Sequence, residues 1–200
     1  MISHLRGALL EKNPNAVVVD VQGVGYEVTI PVSVYSSLPV IGSEVALHIH
    51  MHVREDALSL FGFVTAGDKA LFEKLISVSG IGPKLAVTAL SGLASADLMA
   101  AIRNGAVDQL VKIPGVGKKT AERMVLELRD KLDSIGLPAR AAGVALSQSS
   151  FNTTEEDTIS ALMNFGSSRA AAEAAVTKAR AAEGANDFDA LFRRALKLVR

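Results

Sequence analysis

One pattern constrains this chain more than any other: a helix, a Gly-apolar-Gly step and a second helix, written twice. Leu75-Ile76-Ser77-Val78-Ser79-Gly80-Ile81-Gly82-Pro83-Lys84-Leu85-Ala86 returns 35 residues later as Leu110-Val111-Lys112-Ile113-Pro114-Gly115-Val116-Gly117-Lys118-Lys119-Thr120-Ala121. Glycine permits positive φ and removes the side chain, so backbone N–H groups at the turn and at the start of the next helix can approach an anion. The residue between the glycines, Ile81 or Val116, is placed to pack inward and hold the two helices at a fixed angle. Pro83 suits the first helical position, where the missing N–H costs nothing. Lys84, Lys118 and Lys119 stand where cations meet the same phosphate, and Thr120 adds a hydroxyl donor. A single copy reads equally well as a tight turn between packed helices. Two copies with lysines in register read as paired helix-hairpin-helix motifs, which grip both strands of a duplex through phosphates without reading bases.

Nucleotide-binding alternatives fail on spacing. A dinucleotide fingerprint needs a strand before its glycines, and the segments here are helical. A P-loop aligned on Lys119-Thr120 needs glycine at 118 and 113, where Lys118 and Ile113 stand. No ATP site, cofactor or metal is therefore expected in this chain.

The repeat sits in the middle of a chain that changes texture twice. Residues 1–64 alternate like strands, over 2–11, 15–21, 26–32, 44–53 and 57–63, with turn signals at Asn13-Pro14-Asn15, Gly23-Val24-Gly25 and Ile41-Gly42-Ser43. Five short strands in so few residues have the rhythm of a closed OB-fold barrel, with a small sandwich as the other option. Residues 65–136 are helical, opening on Thr65 as a cap with Asp68 three residues on. Residues 137–152 are small and nearly uncharged, as in a flexible linker. Residues 153–200 form a three-helix unit, with Thr154 and Asp157 placed as a capping box. The expected fold class is thus multidomain α+β: barrel, tandem hairpin domain, small C-terminal helical domain.

Charge has to be read by segment. The whole chain carries 21 basic and 21 acidic side chains, which as an average argues against a phosphate-binding protein. Residues 1–63, however, hold 3 basic and 6 acidic groups, whereas residues 64–135 hold 10 and 8. An acidic barrel precedes a mildly basic helical middle. The absence of cysteine excludes a disulfide framework and a thiolate metal site. The N-terminus lacks the apolar run of a signal peptide, and no stretch approaches the ~20 apolar residues of a membrane span, so a cytoplasmic location is expected.

Two features of the barrel invite a functional reading. Glu55-Asp56 lies in the turn before the last strand; it is either a solvated turn or a negative tip that repels phosphates beside a DNA-binding surface. His48, His50 and His52 alternate along one strand and share a face. That spacing can hold zinc, which would make a zinc enzyme, but no companion carboxylate is identifiable, so a solvated or interface-facing strand is the better reading. The four barrel aromatics, Tyr26, Tyr35, Phe61 and Phe63, are poor provision for stacking single-stranded bases.

Taken in order, the sequence resembles the RuvA family, the DNA-binding subunits of the bacterial Holliday junction branch migration complex. The resemblance spans essentially the whole chain and rests on Arg6-Gly7, Gly23-Val24-Gly25-Tyr26-Glu27-Val28, Val53-Arg54-Glu55-Asp56-Ala57 with Phe61-Gly62-Phe63, and the two hairpin strings, the second extended to Glu122-Arg123. It implies an OB-fold that assembles four subunits, two hairpins on DNA, and a mobile, UBA-like C-terminal domain that docks on the hexameric ATPase RuvB. It implies phosphate contacts at Gly80, Gly82, Lys84, Gly115, Gly117, Lys118, Lys119, Thr120 and Arg123, and an acidic pin at Glu55 and Asp56. Leu162, Met163, Leu191 and Leu196 are the expected partner-binding face. ATP and Mg would be used by the motor alone, and the RuvC resolvase would join the larger complex. One departure stands out: Ser167 follows Gly166, where the family usually has an aromatic. Paired hairpins also occur as targeting modules of repair nucleases and glycosylases, which is the second reading.

Overall fold

The computed structural model describes residues 1–132, 152–180 and 187–199, in two compact units divided at about residue 140. The first unit begins with strands β1 (His4–Asn13), β2 (Ala16–Val21) and β3 (Val24–Thr29), then helix α1 (Val32–Ser37), β4 (Glu44–Val53) and β5 (Leu58–Phe63). These strands close in the order β1-β2-β3-β5-β4, with β4 returning to β1 and all pairings antiparallel except β3 with β5. This is the five-stranded OB barrel that the alternation predicts. Alternate side chains point inward, so Leu9, Val17, Val19, Val28, Leu47 and Ile49 are all but fully buried.

Two local features depart from the expected strands. The hairpin between β2 and β3 turns on Gln22 and Gly23, both at positive φ (55° and 89°), rather than on the Gly23-Val24-Gly25 string. Asp20 fixes it by accepting from the Gly23 N–H at 2.6 Å. The β-branched run after Ile30 does not extend β3; Pro31 starts α1 instead. Its Val34, with Leu38 beyond, plugs the barrel core, a tertiary gain that overrides the strand propensity of Val-Ser-Val-Tyr.

Helices α2 (Ala66–Ile76), α3 (Pro83–Gly92), α4 (Ser95–Arg103), α5 (Val107–Leu110) and α6 (Lys118–Leu128) complete the unit. Thr65 caps α2 by accepting from the Asp68 N–H at 3.0 Å, as its sequence predicts. The barrel supplies part of the helical core: Phe72 of α2 packs on Phe61 and Phe63 of β5, with ring centroids 5.2 and 5.0 Å apart. Both barrel phenylalanines are consequently buried. On the other side α1 meets α3, where Ser91 accepts from the Val32 N–H and Ser33 donates to the Leu90 carbonyl, both at 3.0 Å. The hairpin domain is thereby seated on the barrel by aromatic packing and by directed hydrogen bonds.

The second unit holds α7 (Thr153–Asn164), α8 (Arg169–Arg180) and α9 (Phe188–Leu198) around a core of Ile159, Leu162, Val176, Leu191 and small alanines. Its capping box is Asn152 with Glu155, two residues upstream of the expected Thr154–Asp157 pair. Both spacings satisfy the pattern, but Glu155 is buried and also meets Arg180 at 3.4 Å, which selects it. Except for Asn152, the expected linker over 137–152 lies outside the described residues. No single described helix is long and apolar enough to cross a membrane.

Gly7 shows how tightly the barrel closes, because a Cβ there would run into the Asp20 backbone carbonyl. Replacing Gly7 by Ala should destabilise the protein by about 2 kcal/mol or more, read as a lowered midpoint in chemical unfolding. Gly25→Ala, whose Cβ meets only a Val18 methyl at 3.3 Å and no backbone atom, should cost clearly less.

Candidate nucleic-acid interface

The two Gly-apolar-Gly steps adopt the same backbone. Gly80 and Gly115 sit at φ +91° and +85°, a left-handed conformation that side chains other than glycine resist. Gly82 and Gly117 follow at φ −87° and −85° with ψ 171° and 168°, and each is the N-cap of the next helix. The intervening Ile81 and Val116 are both 5 % exposed and point into the helical core. Their N–H groups donate to Val78 and Ile113, each at 3.0 Å, so each turn is tied to its preceding helix. The repeated sequence thus produces a repeated geometry, not just a repeated composition.

The way these helices start carries the chemistry. Neither α3 nor α6 has a side-chain cap, a property they share with α1, α4, α5 and α9 but not with α2 and α7, which Thr65 and Asn152 cap; what sets α3 and α6 apart is glycine at the N-cap. Gly82 and Gly117 have ordinary φ values and open space where a Cβ would lie, so packing does not require glycine at either site. Ser, Asp or Asn would cap the helix better. Glycine leaves the first-turn N–H groups, and the positive end of the helix dipole, open to an external acceptor. Around those openings Gly80, Gly82, Lys84, Gly115, Gly117, Lys118 and Lys119 are exposed and Thr120 is half-buried. None of the three lysines has an ion-pair partner among the described residues. Pro83 occupies the first turn of α3, as its sequence predicts.

The hairpins are also fixed to one another, which the sequence did not reveal. Arg123, on α6, donates from Nη1 to the Ser79 carbonyl at 2.9 Å, reaching from the second hairpin to the loop of the first. Its Nε lies 3.8 Å from Glu127, one turn along the same helix. In the opposite direction, Leu85 of α3 lies against the second loop, with its Cδ1 3.1 Å from where a Gly115 Cβ would be. Spacing alone could not have found these contacts, because they join residues 30 to 44 apart in the chain.

The remaining candidates fall in three other places. Glu55 and Asp56 are exposed at the tip between β4 and β5, where the Arg54 N–H donates to the Ala57 carbonyl at 2.8 Å and tightens the turn. Neither carboxylate has an ion-pair partner among the described residues. The histidine face of β4 turns toward α2: His50 Nδ1 lies 3.1 Å from Glu73, and its ring packs edge-on against Phe72 at 5.2 Å. His52 packs near Phe61 and His48 near His4. Among the described residues no three His, Asp or Glu side chains converge as metal ligands, and His50 has instead the carboxylate that spacing could not identify.

Of the four residues expected to form a partner-binding face, Leu162 and Leu191 are inside the three-helix core, at 0 % and 2 % exposure. Their side chains hold that core together, because α7 and α9 turn those positions toward each other. Met163 and Leu196 are on the surface, joined there by Phe165 and Phe188. Phe188 stacks on Phe192 and Phe165 lies against the same ring, so an aromatic group does stand in this domain, one residue before Gly166 rather than after it.

Comparison with known proteins agrees with this architecture. A family model described as RuvA N terminal domain matches residues 1–62, and one described as SAM-like Helix-hairpin-helix tandem matches residues 72–130. A protein of Solibacter usitatus named Holliday junction branch migration complex subunit RuvA is 60% identical over the full length of both chains. Proteins of the same name from Acidobacterium capsulatum and Syntrophus aciditrophicus are 50% and 41% identical, again over all of this chain and 99% or more of theirs. With a closed five-stranded barrel, tandem hairpins of matching backbone and full-length identity to these relatives, the chain belongs to the RuvA family.

Proposed function

We propose that this chain is a non-catalytic subunit that binds four-way DNA junctions through its paired hairpins and holds them open for branch migration. The observation that carries the proposal is the pair of glycine-started helices, alike in backbone and flanked by lysines that have no ion-pair partner among the described residues. Gly80, Gly82 and Lys84 serve one phosphate backbone, and Gly115, Gly117, Lys118, Lys119 and Thr120 the other, largely by backbone N–H groups. The relatives' shared name, which places them in a branch migration complex that acts on Holliday junctions, supports the same reading.

Within it, Glu55 and Asp56 act as a pin. Two carboxylates exposed at a hairpin tip, with no ion-pair partner among the described residues, repel phosphates at close range and keep strands from crossing that point. Four copies assembled through the barrel would bring four such tips together at a crossover. The motor is a separate ATPase of the RuvB type, using ATP and Mg, docked on the C-terminal domain through its exposed apolar side chains, Met163, Leu196, Phe165 and Phe188. A RuvC-type resolvase joins the larger complex, and the assembly works in the cytoplasm.

Three outcomes check this reading. Lys118→Ala with Lys119→Ala should weaken duplex binding and flatten the dependence of log K on log salt by about 1.8, roughly 0.9 for each lost phosphate contact. In competition at one stated salt concentration, a synthetic four-way junction should outcompete a linear duplex of equal length; equal affinity would favour a repair-targeting module. Glu55→Gln with Asp56→Asn should leave linear-duplex affinity nearly unchanged and alter the rate of branch migration with a RuvB-type motor. A merely solvated turn predicts no change in that rate.

A further inference from the structure

The two copies of the repeat differ in side chain at the places where they touch. At the 35-residue offset Gly115 matches Gly80, Thr120 matches Leu85, and Arg123 matches Thr88. Leu85 lies under the Gly115 loop of the other copy, and Arg123 holds the Ser79 carbonyl beside Gly80. Each hairpin's second helix therefore reaches the loop of its counterpart. The matching positions do neither: Thr88 turns its hydroxyl back to the Lys84 carbonyl at 3.0 Å, and Thr120 stands half-buried at the start of α6. A reciprocal clasp has been built from one apolar and one cationic contact, at positions that a symmetric repeat would have made alike.

We infer that Arg123 is a positioning residue for DNA binding: by clasping the first hairpin's loop to α6, it fixes the spacing between the two phosphate-binding helix starts. This rests on the reading of the hairpins as phosphate sites. Its side chain is half-exposed and near DNA on that reading, so a direct phosphate contact is the competing role. The geometry favours the clasp. One nitrogen of the fork is committed to Ser79, and Glu127 beside Nε partly offsets the charge a phosphate would meet. A guanidinium fork serves two acceptors in different directions, which a single ammonium does not. The benefit is preorganisation: phosphates on a duplex have fixed separations, and recognition by backbone N–H groups has no long side chain to take up an error in spacing.

The test uses the full chain and compares salt dependence with affinity. Arg123→Met keeps the aliphatic stem and removes the donor; Leu85→Ala breaks the other half without touching a charge. Both should lower affinity for a linear duplex and a four-way junction about threefold or more, and the double variant should lose less than the product of the two, as expected for coupled sites. The slope of log K against log salt should stay unchanged in both, whereas Lys118→Ala should reduce it by about 0.9. Arg123→Lys, which keeps the charge without the fork, should behave like Arg123→Met. Without DNA, amide exchange at Ile81 should quicken in Arg123→Met with thermal unfolding near that of the parent, and at Val116 in Leu85→Ala, where loss of a side chain packed on the helical core also lowers the unfolding midpoint. A slope reduced by about 0.9 in Arg123→Met, full rescue by Lys, or unchanged affinity and exchange would each overturn the inference. An unchanged slope in Lys118→Ala would instead contradict the phosphate reading itself, while the exchange data would still decide the clasp.

Discussion

The feature on which the proposed account depends is a pair of helices that start on glycine directly after a positive-φ glycine turn, with their first N–H groups uncapped. A helix start carries several backbone N–H groups that lack an intrahelical partner, and most helices satisfy them with a side chain or water. Here Thr65 and Asn152 do so for α2 and α7, while Gly82 and Gly117 leave α3 and α6 open. An open start is useful only if it is held still. The buried wedge of Ile81 or Val116 does this within each hairpin, and positive φ at Gly80 and Gly115 lets the chain reverse tightly enough to place the wedge.

Rigidity then extends outward by contact. The hairpin domain shares its core with β5 through Phe61, Phe63 and Phe72, and α1 is tied to α3 by two hydrogen bonds. The acidic tip at Glu55-Asp56 belongs to the hairpin that ends in β5, so the tip proposed to repel phosphates is continuous with the strand on which the hairpin domain rests. That arrangement explains how a chain with equal numbers of basic and acidic residues can bind a polyanion. In the proposed reading, attraction comes from oriented backbone groups and a few lysines, and repulsion from one tip.

Most of this organisation was legible from local pattern. Alternation marked the strands, and the hairpin glycines marked both their own turns and the inward wedge. Where the reading missed, a tertiary contact had overridden a local preference. The expected strand over 26–32 ends at Thr29 instead, because Pro31 opens a helix whose Val34 fills the barrel core. Leu162 and Leu191 look like a helix face available to a partner, yet they face each other across a small domain that needs them for its own core. The histidines share a face as expected, but that face meets Glu73 and Phe72, which lie more than twenty residues away in the chain. Arg123 gave no sign of its contact with Ser79, since nothing in a sequence measures a distance between two copies of a repeat.

The central claim is that DNA is held by backbone N–H groups at two matched helix starts. Its most direct test follows the backbone amide resonances of the full chain as a four-way junction is added. The account predicts that the largest shifts fall on Gly82, Lys84 and Leu85 and, together with them, on Gly117, Lys118 and Lys119, at the same DNA concentration. Shifts confined to one hairpin, or concentrated on the barrel while both helix starts stay unchanged, would contradict it.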